Sequence, residues 1–256
     1  RLWGSLGFVL AVISMGAVLE QYKITVLPVF LLLFFFLIVV SSFTVPEKTN
    51  NRRALQSGSI VATLKQPVVL AVLLVCFLAQ LSHGAYYTFF SIYLRAHHYS
   101  STTIGSLWAL GVCAEIVVFI YMYKLMPKFG ARNLLLVALA LSALRWYLIG
   151  HFVDELAVLL FAQTLHAASF GLYHAVSIEL FHRLFRGKHQ GRGQALYSSI
   201  SFGAGGAMGS YISGQFWDQG GATLIFNVSS IVALIALGIA WRFIYISGKV
   251  QVASSK

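Results

Sequence analysis

Long apolar segments are the strongest constraint on how this 256-residue chain can fold. A helix needs about 20 consecutive apolar residues to cross the hydrocarbon core of a membrane, which is roughly 30 Å thick. The apolar runs are continuous rather than alternating, which favours helices over membrane-spanning strands. The sequence predicts an all-α polytopic membrane protein with eight transmembrane helices, in windows 2–20, 24–44, 68–94, 104–124, 131–151, 155–181, 194–213 and 221–245.

Charge supports the membrane interpretation and predicts an orientation. Only 10% of the residues are charged, whereas a soluble domain has about a quarter, so soluble and disordered proteins are excluded. The net charge of +11 is interpreted as a topology signal rather than a nucleic-acid surface. With the chain start in the cytoplasm, the predicted outside segments hold only Lys23 and Arg95, and every other Lys or Arg except Arg145 falls in an inside segment. We therefore expect a multi-pass protein of the plasma (inner) membrane with both ends of the chain cytoplasmic.

A polar, basic stretch divides the chain. Residues 45–67 separate two predicted helices from six, which predicts three regions: 1–44, a central cytoplasmic loop 45–67, and a six-helix bundle 68–256. The sequence begins without Met, inside an apolar helix. Two helices followed by six is an odd arrangement for a self-contained fold, so we expect a fragment in which residues 1–44 are the last two helices of an earlier six-helix bundle.

Small residues recur at helical spacing near the end of the chain, which predicts close helix packing, with a moving gate as the alternative. The two rows are Ser201, Gly205 and Gly209, and Gly206, Ser210 and Gly214.

Glu115, Arg145 and His166 lie near the middle of predicted membrane helices, where a charge costs on the order of 2.5–3.5 kcal/mol. Burial of the Glu115 carboxyl favours its neutral form, so Glu115 is a candidate to load and release a proton; the alternative is a static ion pair with Arg145. Arg145 keeps its charge, and either contacts substrate or is paired structurally. His166 either carries protons, bonds a substrate hydroxyl, or packs as a polar core residue. These three residues are the predicted proton-coupling group.

Further polar residues are candidates for substrate contact, with packing as the alternative. Gln80 and His83 share a helix face, and Tyr87 lies one turn beyond His83. His174 lies two turns beyond His166. By contrast, Glu179 and Arg183 are predicted to form a surface ion pair near a helix end.

Enzyme, metal and cofactor signals are lacking in the sequence. It contains no HExxH or GxSxG motif, and its histidines are spread over several helices without metal-ligand spacing. We therefore expect neither an enzyme nor a cofactor-binding protein.

Several segments resemble the major facilitator superfamily. RLWGSLGF (1–8) resembles the start of the fifth helix in its lactose permease-like and nucleoside:proton symporters. AYYTFFSIY (85–93) and LWALGVCAE (107–115) resemble the seventh and eighth helices of its 3-phenylpropionate permease-like branch. LSALRWYLIG (141–150) and QTLHAASFGLYH (163–174) resemble the ninth and tenth helices. The chain would correspond to helices five to twelve of twelve.

The resemblance implies two six-helix bundles around a central cavity, alternating access and proton symport. Arg1 matches the family's fifth-helix arginine, which contacts substrate in sugar and nucleoside members. Arg145 and His166 match the ninth-helix arginine and tenth-helix histidine of lactose permease. Ser169 replaces the carboxylate that lactose permease carries one turn after that histidine, and Pro127 replaces the Asp of the superfamily's cytoplasmic turn motif.

Together these features predict a monomeric transporter that imports a small organic solute with protons. An aromatic carboxylate such as 3-phenylpropionate is the expected substrate. The alternatives are a nucleoside or oligosaccharide proton symporter and a non-transporting membrane sensor with the same fold. The predicted substrate-binding residues are Arg1, Gln80, His83, Tyr87, Arg145, His166 and His174.

Overall fold

The computed structural model describes residues 2–22, 24–44 and 60–245, and the regular secondary structure of these residues is entirely helical. Four of the described helical segments are long and apolar enough to cross a membrane: Pro67–Ala96, Ser101–His151, Leu156–Leu184 and Gln190–Phe243. The predicted all-α membrane architecture is confirmed by these segments. Arg1 and most of the predicted central loop lie outside the described residues.

Two apolar helices precede these segments. Helix α1 spans Leu2–Gln21, and a short 3₁₀ turn, Ile24–Val26, leads into α2, Leu27–Ser42. None of the described α2 side chains is buried in the protein. A helix that is apolar around its whole circumference and exposes those side chains is suited to contact with lipid or other membrane helices.

Helix α4 begins where the sequence predicted. A single turn of helix, α3 (Ile60–Leu64), precedes it, and α4 itself spans Pro67–Ala96. Pro67 occupies the first helical position, where its missing N–H costs no hydrogen bond. The turn after α4 ends at Ser100, whose side chain accepts a hydrogen bond from the Thr103 backbone N–H at 3.1 Å and caps the next helix.

Two glycines interrupt the two longest helical segments. Helix α5, Ser101–His151, has 51 residues, and a straight helix of that length would extend about 75 Å, more than twice the hydrocarbon core. Its interruption is at Gly130 (φ 75°), three residues after Pro127. In the last segment the interruption is at Gly221 (φ 70°). Residues with a side chain rarely adopt these φ values, so glycine is required at both turns.

Two π-helical segments occur inside the remaining helices. The π segment Ala167–Leu172 joins α6 (Leu156–Thr164) to α7 (Tyr173–Leu184). After a 3₁₀ turn, Gly187–His189, α8 (Gln190–Ser198) continues through a second π segment, Ser199–Gly206, into α9 (Ala207–Phe243). Such segments are rare and are often found at functional sites.

The apolar core is divided into two clusters. Along α4, the first cluster takes residues up to Ala79 and the second begins at Ala85. The buried polar residues Gln80, Ser82 and His83 lie between them. The polar residues in the middle of α4 are therefore enclosed by apolar packing on both sides.

Close backbone contact holds the last helix against α4. A Cβ atom at Gly209 would lie 2.2 Å from the Leu81 carbonyl oxygen, and one at Gly205 would lie 2.5 Å from that of Phe77. Ser201 is fully buried, so the first predicted row of small residues is confirmed as a packing face. The second row is only partly confirmed: Ser210 contacts the Gly84 carbonyl, whereas Gly206 has no other atom near its Cβ position.

Helix α1 packs on α5 by the same means. A Cβ atom at Gly105 would lie 2.9 Å from the Val12 carbonyl oxygen, and one at Gly16 would lie 3.0 Å from that of Ser101. Residue numbers rise along α1 as they fall along α5, so the two helices are antiparallel.

Replacing Gly209 with alanine should lower the unfolding midpoint of the purified protein, because the new methyl group overlaps the α4 backbone. We expect a cost of about 1–3 kcal/mol, typical of overpacking. Gly238→Ala is the matched control, because Gly238 lies in the same helical segment, beyond Gly221, with nothing within 4 Å of its Cβ position. Equal thermal unfolding midpoints for the two variants would contradict the proposed contact.

Candidate functional site

Arg145 is the centre of a buried polar cluster. Its side chain is fully buried, and its Nε donates a hydrogen bond to the Ala162 carbonyl at 3.1 Å. Nη1 is 3.0 Å from both His166 Nδ1 and Ser169 Oγ, and Nη2 donates to Gln163 Oε1 at 3.1 Å. The planar guanidinium is thereby held in one orientation by four partners.

His166 connects Arg145 to Glu115. Arginine only donates hydrogen bonds, so Nδ1 of His166 must accept from Arg145, which puts the ring proton of neutral His166 on Nε2. Nε2 lies 3.5 Å from Glu115 Oε2, and both side chains are almost completely buried. Arg145 therefore donates to His166, and the Nε2–H group of His166 in turn faces the Glu115 carboxyl group.

Two glycines allow this approach of α5 to the helix that carries His166. A Cβ atom at Gly171 would lie 2.8 Å from Glu115 Cγ, and one at Gly111 would lie 3.2 Å from His166 Cβ. Gly171 and Ser169 both belong to the π segment that follows His166. The π segment therefore places the Ser169 hydroxyl against Arg145 and the Gly171 backbone against Glu115.

Aromatic rings enclose the guanidinium. Its central carbon lies 4.1 Å from the centre of the Tyr86 ring and 4.8 Å from that of Trp146, at cation–π distance. The Tyr86 hydroxyl also donates to Gln163 Oε1 at 2.9 Å. The charge is thus stabilised by ring faces and neutral dipoles as well as by the His166–Glu115 chain.

His83 lies beside the cluster and packs among aromatic rings. Its ring contacts Trp146 edge-on at 4.7 Å and stacks on Tyr87 at 5.8 Å. Its Nδ1 is 2.7 Å from the Ala79 carbonyl, whereas its Nε2 is buried without a partner among the described residues. Gln80, one turn away, faces the second π segment, because a Cβ atom at Gly205 would lie 3.3 Å from Gln80 Cβ.

A column of rings leads from His166 along α7. Phe170 stacks between His166 at 5.4 Å and His174 at 5.7 Å, with all three rings nearly parallel. Nδ1 of His174 lies 2.7 Å from the Tyr197 hydroxyl. His174 therefore belongs to the same face of the helix but lies two turns from the Arg145 cluster.

An apolar cavity of about 750 Å³ lies between α1, α2, α4 and α5. Ser101 and Arg95, which contact each other, line one end of it. Tyr87 and Trp108 line the other end. Tyr87 is 44% exposed, lines the cavity and stacks on His83, so this one side chain contacts both.

The comparisons with known proteins agree with this architecture. The family model described as the MFS_1 like family matches residues 1–228. The chain belongs to this family of the major facilitator superfamily.

Three curated relatives of this MFS_1-like chain each cover 93% of it. They are named a probable 3-phenylpropionic acid transporter of Escherichia coli (strain K12), 29% identical; the uncharacterized transporter YwbF of Bacillus subtilis (strain 168), 23% identical; and a maltose permease of Geobacillus stearothermophilus, 25% identical. The chain spans about three-fifths of the length of these relatives. No solved structure gives a significant match.

The structure brings together part of the predicted site. Glu115, Arg145 and His166 form one cluster with His83 beside it, whereas Gln80 and His174 lie farther along their helices. Tyr87 lies between His83 and the cavity, and Arg1 lies outside the described residues. The predicted Glu179–Arg183 ion pair is confirmed at 2.7 Å.

Gln163 is the residue that sequence reasoning missed. It is fully buried, and its Oε1 accepts hydrogen bonds from both Tyr86 and Arg145. Its Nε2 is buried without a partner among the described residues. A polar residue three positions before His166 in an apolar segment is the sequence signal that could have found it.

Arg145→Lys should destabilise the protein strongly, because one ammonium group cannot reproduce four hydrogen bonds spread over a planar fork. Leaving several of those buried partners unpaired should cost about 3 kcal/mol or more. The matched control is Arg183→Lys, at a partly exposed ion pair, which should cost less than about 1 kcal/mol. Denaturant unfolding in detergent would measure both, and equal losses would argue against the cluster's role in stability.

Proposed function

We propose that the chain belongs to a secondary active transporter that imports an aromatic carboxylate together with protons by alternating access. The observation that carries the proposal is the buried Arg145–His166–Glu115 chain inside a helical membrane protein of the MFS_1-like family. A relative named as a probable 3-phenylpropionic acid transporter supports the substrate class.

The proposed membrane topology has eight spans in the two-plus-six arrangement, with both ends cytoplasmic. Gly130 and Gly221 support this topology, because each interrupts a helical segment long enough for two crossings. Helices α1 and α2 then supply the first two spans. The polar stretch 45–67 would be the cytoplasmic connection to the six-helix bundle 68–256.

Charge balance explains how a proton and an anion would move together. When Glu115 is ionised and His166 is neutral, the negative charge of Glu115 offsets the positive charge of Arg145. When Glu115 takes up a proton, Arg145 loses this compensation, and a substrate carboxylate becomes the favourable partner. Because linkage is reciprocal, a bound substrate anion also favours the protonated form of Glu115. The coupling free energy between two such binding events is typically about 1–3 kcal/mol.

The rings near the cluster suit the rest of an aromatic acid. The apolar cavity ends at Tyr87 and Trp108, and Tyr86 and Trp146 flank the guanidinium. A solute ring can be sandwiched by such side chains while its carboxylate reaches Arg145. Arg145 and His166 therefore serve both the substrate and the proton in this proposal, and protons and the solute are the proposed partners within the bilayer.

A second candidate is a nucleoside or oligosaccharide as the imported solute. Buried nitrogens of Gln80, His83 and Gln163 that have no partner among the described residues favour it, because hydroxyl groups could bond all three. The maltose permease among the relatives also supports a polyhydroxylated solute.

The decisive experiment is uptake of labelled 3-phenylpropionate into energised vesicles that carry the full-length protein. We expect accumulation that an uncoupler abolishes. Excess uridine, lactose or maltose should not compete. Displacement by one of these at low concentration would transfer the proposal to that solute. Absence of uptake despite ligand binding would indicate a non-transporting sensor.

Glu115→Gln should abolish uphill accumulation, because an amide keeps the shape of the side chain but cannot carry a proton. Exchange of internal for external substrate should persist, since exchange needs no net proton movement. The matched control is Glu179→Gln at the partly exposed ion pair, which should leave accumulation unchanged. Normal accumulation in Glu115→Gln would refute the coupling role.

A further inference from the structure

The starting observation is a pair of buried atoms whose hydrogen-bonding needs are opposite. Nε2 of His83 and Nε2 of Gln163 are both buried without a partner among the described residues. Buried polar atoms in native proteins are nearly always paired, so each such atom calls for an explanation. A ligand that supplies the missing partners is one explanation, and ordered water is the other.

The chemistry of His83 Nε2 follows from its other nitrogen. Nδ1 lies 2.7 Å from the Ala79 carbonyl oxygen, which can only accept, so Nδ1 carries the ring proton. In the neutral ring Nε2 is then a bare acceptor. Only a hydrogen-bond donor can satisfy it.

The chemistry of Gln163 Nε2 is the reverse. The Oε1 atom accepts hydrogen bonds from Tyr86 and Arg145, which fixes the orientation of the amide. Its NH₂ group therefore offers donors beside the guanidinium. A carboxylate oxygen that approaches Arg145 can accept from it.

The aromatic side chains around His83 suit a ligand that carries an aromatic ring. Tyr87 and Trp146 contact the imidazole, and Phe170 lies 6.4 Å away from it. Trp146 also contacts Arg145, so the acceptor and the anion-binding group flank the same indole. Tyr87 stacks on His83 and also lines the 750 Å³ cavity.

We propose that His83 Nε2 accepts a hydrogen bond from a hydroxyl group on the ring of the transported acid, while Arg145 and Gln163 bind its carboxylate. The preferred substrate class is then a hydroxyphenyl-substituted alkanoic acid rather than the unsubstituted one. This inference rests on the proposed function and specifies its substrate. His83 acts as the residue that distinguishes the two acids.

The test is equilibrium binding by calorimetry to the purified full-length protein. The probes are 3-phenylpropionate and its 2-, 3- and 4-hydroxyphenyl analogues. We expect at least one analogue to bind about tenfold or more tightly than the parent acid, because the parent leaves a buried acceptor unpaired. The His83→Phe substitution keeps an aromatic ring but removes the Nε2 acceptor. The ratio of the affinities for the hydroxylated and the parent acid should therefore fall to about one.

His151→Phe is the control for the exchange of a histidine ring, because His151 bonds Asn227 at an exposed position. It should keep the wild-type preference. Equal binding of all four acids to the wild type would overturn the inference and favour water at His83, yet would leave the proposed function standing. A preference that survives in His83→Phe would also overturn it. Failure of all four acids to bind would overturn the proposed aromatic substrate as well.

Discussion

The need to stabilise one positive charge inside a membrane organises this protein. Arg145 cannot shed its proton, so its charge must be offset where water is excluded. Four hydrogen bonds, two aromatic faces and the His166–Glu115 chain do so. Each of these partners comes from α4, α5 or the α6–α7 segment, so the charge ties the central helices together. The cluster that secures the fold is the same one for which we propose proton and anion chemistry.

Such a cluster requires helices that approach unusually closely. Gly111 and Gly171 remove the side chains that would keep Glu115 from His166. Gly205 and Gly209 lack the side chains that would overlap the backbone of α4. These contacts are van der Waals in nature and carry no cost of burying polar groups, which is why small residues favour packing between membrane helices.

The sequence predicted the helical class and much of the site, because both follow from the cost of placing polar groups in lipid. Glu115, Arg145 and His166 were recognisable as charged or titratable residues in apolar windows, and the structure places them together. Gln163 was missed because an amide is less costly and its partners lie on other helices. The distance of Gln80 and His174 from Arg145 depends on helix rotation and on π turns, which residue spacing does not reveal.

The π segment after His166 has an evolutionary consequence. A π turn contains one residue more than the α turn it replaces, and each residue of an α-helix advances the face by about 100°. Insertion of one residue there turns every later side chain of the helix relative to the earlier ones. Descendants of such a gene could therefore exchange which side chains of α7 face α5 without altering any of them. A relative that lacked the extra residue would present different side chains on that face beyond Ala167–Leu172.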